Sequence, residues 1–270
     1  MATPSFPPPP AAAVNYDATA GEYFVSYSAA RASYSVTQSS GSYVITSKVG
    51  SAGSDTFALG AVDRIKFSDE TVNLKVQSNA ASIATTDLNS ITELYTAYFN
   101  RVPDADGLNY WIGRFKGGMS LNAIGDSFYA AAVSASYTDL TGYSSAMSNA
   151  DFVIKIYQNV LNRTVTASDG GVSYWANSMA NGVGRGSVVN QIILAAHTYK
   201  GDPSFGWVAD LLDNKLSVAK TFAISDGLTY ITPADSITHG MQITTAVTAT
   251  DTTHAIQLIG VTDPALAVST

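Results

Sequence analysis

At 270 residues the chain is long enough for two or three modest folding units, and it is 46 % hydrophobic and 10 % aromatic, which excludes a disordered polymer. Only 13 % of residues are charged, with 14 Lys+Arg and a net charge of −7, so the dense basic surface that nucleic acid or a polybasic membrane anchor needs is absent. There is no cysteine, which removes disulfides, thiolate nucleophiles and cysteine metal sites together.

Residues 1–13 read as a Pro-rich extended tail. Phe6 is followed by Pro7, Pro8, Pro9 and Pro10, a run that favours polyproline II and has no backbone donors of its own. Such a tail suits docking against a neighbouring subunit. It has neither the basic n-region nor the apolar h-region of a secretory signal, and no run of 18 apolar residues elsewhere predicts a membrane span.

Residues 14–81 read as β-rich. Tyr23–Tyr27, Ala32–Thr37 and Ser42–Thr46 are short, aromatic and β-branched, with Ser39-Ser40-Gly41 as a hairpin turn between the last two. Arg64–Phe67 and Val72–Val76 alternate, with Ser68-Asp69-Glu70 turning between them.

Residues 82–225 have a helical period. Ile91, Leu94, Tyr95, Tyr98 and Phe99 share one face, with Thr86 or Asp87 as a cap. Leu108, Tyr110, Trp111 and Phe115 begin a second face, stopped by Gly117-Gly118; Ser120 caps a third helix through Ile124, Phe128 and Ala132. The order then recurs. Leu94-Tyr95, Tyr98-Phe99 and Asn100-Arg101 match Ile156-Tyr157, Val160-Leu161 and Asn162-Arg163. After a two-residue insertion, Tyr110-Trp111 matches Tyr174-Trp175, Gly118 matches Gly182, and Ala131-Ala132 matches Ala195-Ala196. Two similar helical units, about 87–148 and 149–225, are expected, the second ending in a helix from Trp207 to Ala223. Residues 226–270 read as β again, through Gln242-Ile243-Thr244 and Ala255–Ile259. The fold class is therefore α+β: an N-terminal β-rich segment, a central all-α repeat domain and C-terminal strands.

Four residues stand out as candidate glycan or partner contacts. Arg101 and Arg163 end equivalent helices and could bind a carboxylate or phosphate; local pairing and capping is the plainer role. Trp111 and Trp175, each following a tyrosine, could stack on a sugar; core packing is the plainer role, with one ring of each pair reaching the surface. Asp104-Ala105-Asp106-Gly107 lacks the ligand spacing of a calcium loop and reads as a capping turn. Gly182 to Ser187 follows a helix, not a strand, and reads as a helix stop with a Ser cap. His197, His239 and His254 are isolated, His197 on an apolar helix face, and no catalytic or metal-binding motif occurs.

The run Tyr95…Phe99-Asn100-Arg101-Val102-Pro103-Asp104…Gly107-Leu108…Tyr110-Trp111…Gly118-Met119-Ser120 resembles a helical domain of unknown function common in secreted bacterial RTX-type and surface-layer proteins, distantly similar to phycobilisome linkers. The second copy keeps Tyr157, Asn162-Arg163, Gly171 and Tyr174-Trp175, but has Val165-Thr166 where the first has Pro-Asp. Asn214–Ala219 resembles the stretch that closes such regions, and Asp55-Thr56-Phe57 with Val62–Asp69 resembles the strands beside them. The resemblance implies export without a cleaved N-terminal signal, residence at the bacterial surface and no catalytic residues. It implies calcium only through relatives, since the calcium-binding nonapeptide repeats are missing. The functional expectation is a non-catalytic, self-assembling surface-layer or filament subunit, a homo-oligomer or polymer; a lipopolysaccharide- or polysaccharide-binding anchor is the alternative.

Overall fold

The computed structural model describes residues 12–39, 41–49, 53–134 and 137–261. The tail residues Phe6 to Pro10 lie outside the described residues. The fold is α+β, with strands leading, helices in the centre, and one strand and two helices at the end.

Strands β1 (Asn15–Asp17), β2 (Glu22–Ser26), β3 (Tyr34–Ser39), β4 (Ser42–Ser47), β5 (Ser54–Ala58), β6 (Arg64–Lys66) and β7 (Glu70–Asn73) form two sheets. The β3-β4-β5 meander is antiparallel, its first hairpin pairing Ser39 with Ser42 across a turn where Gly41 takes φ 87°. The larger sheet runs β1-β2-β6-β7-β8, where β8 (Leu228–Tyr230) arrives from the far side of the helical region. The β2–β6 pair is parallel, and the meander forms the crossover between them.

Two strands begin or end differently from the alternation in the sequence. Residues Arg31–Ser33 make a 3-10 turn, so β3 starts at Tyr34. β7 stops at Asn73 because its Oδ1 accepts from the Lys75 and Val76 backbone N–H groups and turns the chain into α1 (Val76–Ala80). Apolar alternation cannot signal that side-chain cap.

The helices are α2 (Thr85–Phe99), α3 (Ala105–Lys116), α4 (Leu121–Ala132), the short α5 (Thr138–Thr141), α6 (Asn149–Leu161), α7 (Gly170–Ala180), α8 (Arg185–His197) and α9 (Gly206–Lys220). A π turn over Thr221–Ser225 follows α9, so the last helix is shorter than the Trp207–Ala223 expectation. α2 starts one residue before Thr86, with Ala84 at its N-cap, so neither Thr86 nor Asp87 caps it. Ser120 caps α4 as expected, accepting from Ala123 N–H. One hydrophobic core runs through both helical units and the sheets, from Val25 to Ile259.

The expected C-terminal strands are helices. Gln242-Ile243-Thr244 lies in α10 (Pro233–Thr245) and Ala255–Ile259 in α11 (Thr253–Ile259). Thr232 caps α10 through the Asp235 N–H, with Pro233 at the first helical position. Ile237, Gly240, Ile243 and Thr244 are buried at spacings of three and four. Short windows of β-branched residues look extended; the longer period and the Thr-Pro start decide for helix.

α4 and α8 cross at two glycines. A Cβ on Gly125 would lie 2.7 Å from Gly186 Cα, and one on Gly186 would overlap the Asn122 carbonyl. Asp126 of α4 accepts from the Gly186 N–H at 2.7 Å, so α8 is capped from its neighbour and Ser187 is not the cap. Lys215 on α9 is the buried counterpart at the other helix ends. Its Nζ donates to Asn100 Oδ1 at 3.0 Å and to the Asn159 carbonyl at 2.9 Å, joining the C-termini of α2 and α6.

Three substitutions test this packing, the first two by thermal melts. Gly186→Ala is expected to destabilise the fold by about 3 kcal/mol, through overpacking. Gly113→Ala, on an exposed helical face with open space around it, should be neutral or stabilise by about 0.5–1 kcal/mol in the same thermal melts. Burial lowers the Lys215 pKa from its ordinary 10.5 to about 8. Between those values the unfolded chain holds a proton that the folded chain has released, so stability rises with pH there. The difference between the parent and Lys215→Met in denaturant titrations should grow by up to ~1.4 kcal/mol per pH unit from about pH 8 to 10. A flat difference would show that Lys215 stays charged when folded.

Candidate functional site

The duplicated sequence builds a duplicated cavity. In the first unit Asn100 ends α2 in the left-handed conformation, φ 47°, and in the second Asn162 ends α6 with the same φ. Asparagine tolerates that conformation, and it turns the chain at the same angle in both units. The next helix is then capped by an aspartate. Asp104 accepts from Gly107 N–H at 2.7 Å, and Asp169 from Gly171 and Val172 N–H at 2.9 and 3.3 Å. Asp169 takes the role of Asp104 after the two-residue insertion, so the missing Pro-Asp pair is compensated. Gly107 and Gly171 are needed because a Cβ at either would come 2.5 Å from the hydroxyl of Tyr95 or Tyr157. The next helix brings Trp111 or Trp175 to each hydroxyl, which offsets part of the effect of burial on the tyrosine. Burial raises the pKa of both tyrosines above the ordinary value.

The four residues singled out from sequence therefore fall into two equivalent places. Arg101 and Trp111 line the first cavity with Tyr95, Phe99, Phe128 and Ala131; Arg163 and Trp175 line the second with Tyr157, Leu161, Ile192 and Ala195. The tryptophans are half-buried and the preceding tyrosines exposed, so one ring of each pair does reach the surface. The two rings of each pair meet edge-on, 4.9 Å apart in the first unit and 4.8 Å in the second. The arginines pair locally, Arg101 with Asp104 at 3.2 Å and Arg163 with Asp169 at 3.0 Å.

The copies differ in what covers them. Phe99 and Phe128 of the first unit become Leu161 and Ile192 in the second, and the cavity volume grows from about 170 to about 370 Å³. Ile237 of α10 closes on the first cavity, and α10 is held there by Val102 N–H donating to the Gly240 carbonyl. Arg101 stacks over Tyr95 at 4.8 Å, and its side chain is 12 % exposed. On its other side lies a more polar hollow of about 340 Å³ shared with Asp104, Tyr230 and Ser236. The second cavity has Tyr199, Phe205, Trp207 and Val208 at its margin instead, and Arg163 is 54 % exposed there. Tyr199, Phe205 and Trp207 are 43 %, 53 % and 43 % exposed.

Sequence reasoning did not single out those three aromatics, because they follow the repeated block and have no counterpart in the first unit. The available signal was the aromatic spacing around Asp202-Pro203. Chemically, the second cleft offers apolar ring faces with one guanidinium–carboxylate pair. His197, expected as a packed core residue, is half-buried on α8 with its Nε2 2.6 Å from Glu93 Oε1, and this bond raises its pKa. Among the described residues no group of three or more His, Asp or Glu is placed to hold a metal ion, and no helix is long and apolar enough to cross a membrane.

The asymmetry gives a direct test. Arg101→Ala removes a mostly buried cation, its stacking and its pair, and is expected to cost about 2–3 kcal/mol; Arg163→Ala should change stability by less than about 0.5–1 kcal/mol. Equal losses in urea titrations would contradict the difference in cover.

A family model described as a domain of unknown function (DUF4214) matches residues 130–197, which begin in the last turn of α4 and end with α8. The match falls on the second unit, although the Pro-Asp form of the motif is in the first. No curated protein and no solved structure matches the chain significantly.

Proposed function

We propose that the chain is a non-catalytic extracellular structural protein that self-assembles at the bacterial surface, as the subunit of a surface-layer lattice or a filament. The observation that carries this reading is the wide, aromatic-edged cleft of the second unit. Its twin is narrower and has Ile237 of the chain's own α10 in its wall, whereas Tyr199, Phe205 and Trp207 stand exposed around the second. Clustered exposed aromatics mark interaction surfaces, and an apolar cleft edged by them is suited to an apolar occupant. The edge strand β1 adds a second association surface. It pairs only with β2 in its sheet, and Tyr16 and Tyr23 lie exposed with ring centroids 4.9 Å apart. The match to a domain of unknown function over residues 130–197 supports the helical-domain part of the resemblance, and residence at the bacterial surface belongs to the same proposal.

A second reading is favoured by one feature. Trp175 and Arg163 line the same cleft, and a ring face beside a guanidinium suits a lipopolysaccharide or exopolysaccharide. Electron microscopy of the purified chain, with and without millimolar calcium, separates the two. Ordered sheets or filaments are expected, and their loss without calcium would reveal metal control. Persistently monodisperse particles in both conditions, with saturable glycan binding by calorimetry, would replace the structural reading with the anchor.

A further inference from the structure

We infer that the cleft of the second unit is the receptor for the Phe6–Pro10 segment of a second copy of this chain, so that subunits join head to tail. The inference rests on the self-assembly reading and specifies its contact. Polyproline II segments dock in aromatic-lined grooves, because their rings pack on flat faces and little conformational freedom is lost. The cleft supplies Trp175, Tyr199, Phe205 and Trp207 for that purpose. The tail supplies one aromatic anchor followed by four prolines, and no side chain among residues 2–11 is charged. That neutrality matches a cleft whose charged lining residue, Arg163, already pairs with Asp169. A polyproline II strand leaves its carbonyls without internal donors, and Arg163 at the cleft wall uses one terminal nitrogen on Asp169 and retains further donors.

The placement of the tail's root favours a second copy over the same chain. The tail leads into β1 at one edge of the five-stranded sheet. The principal packing partners of α6, α7 and α8, which build the cleft, are all helices. α3 of the first unit packs on β7 and β8, so the helices that pack on the tail's own sheet include the first unit's and not α6, α7 or α8 among their principal contacts. Ten residues in polyproline II reach only ~30 Å. A donor tail and a receptor cleft on different parts of one surface make a heterologous contact, which propagates into rings or open filaments instead of closing as a dimer.

Mixing two variants of the full chain tests this. One lacks residues 1–11 and keeps the cleft; the other carries Trp207→Ala and keeps the tail. Each alone is expected to raise the concentration needed for assembly by about ten-fold or more in light scattering and sedimentation. Mixed, they should form a one-to-one pair that stops there, since only one contact is complete. If both variants assemble like the parent, the tail–cleft contact is overturned and self-assembly stands, through another surface. If the parent itself never assembles, the self-assembly reading fails, and tryptophan fluorescence decides the contact. A concentration-independent change on tail deletion would place the tail in its own chain's cleft, and no change would leave the cleft without the tail; either overturns the inference. Loss of polysaccharide binding by Trp207→Ala with assembly intact would assign the cleft to a glycan.

Discussion

The joint between sheet and helices turns on the Asp106 carboxylate. It stands in the first turn of α3 and accepts from Arg64 of β6 at 2.6 Å and from Asn73 of β7 at 2.7 Å, while its own N–H donates to Thr229 of β8 at 3.1 Å. Arg64 is held from the other side by Glu22 of β2 at 3.0 Å. Four strands and one helix thus share one polar node at the seam. Removing one partner would leave the others desolvated and unpaired, so the node fixes orientation even where its net contribution to stability is modest. The same Asn73 ends β7 and starts α1, which ties the node to the chain's change from strand to helix.

Inside the helical region the two units are held alike but finished differently. Asn100 and Asn162 set the turn angle, and Lys215 with Asn159 satisfies the carbonyls left open at the ends of α2 and α6. Gly125 and Gly186 let α4 and α8 come together at backbone distance. These contacts belong to the framework and leave the cavity linings free to diverge. Phe99 and Phe128 fill one; Leu161 and Ile192 leave the other wide.

How far the sequence reveals this depends on the range of the interaction. The internal repeat, the αL asparagines, the Ser120 cap and the β3–β4 hairpin are local and legible. The C-terminal helices look like strands in short windows such as Gln242–Thr244 and Ala255–Ile259, and the helical burial period shows only over a longer one. The Asp126 cap on α8 was invisible because it comes from another helix. Arg101, Trp111, Arg163 and Trp175 were identifiable as a repeated set, but their unequal exposure was not. That inequality depends on α10 reaching back to Val102 and on Phe205 and Trp207 folding beside the second unit only.

The pairing of β7 with β8 has a consequence for how the chain folds. Val72 lies opposite Leu228, so the whole helical region is a closed excursion between two hydrogen-bonded neighbours in one sheet. About 150 residues must be looped before that ladder can form, a large entropic cost to closing it early. Much of the helical packing is long-range as well, since α4 of the first unit crosses α8 of the second and α2 packs on α6. Helix packing across the two units and the β7–β8 ladder thus both wait on distant parts of the chain meeting. Until they do, β7 remains an unprotected edge, and that interval is when a nascent chain is most exposed to pairing with the wrong strand.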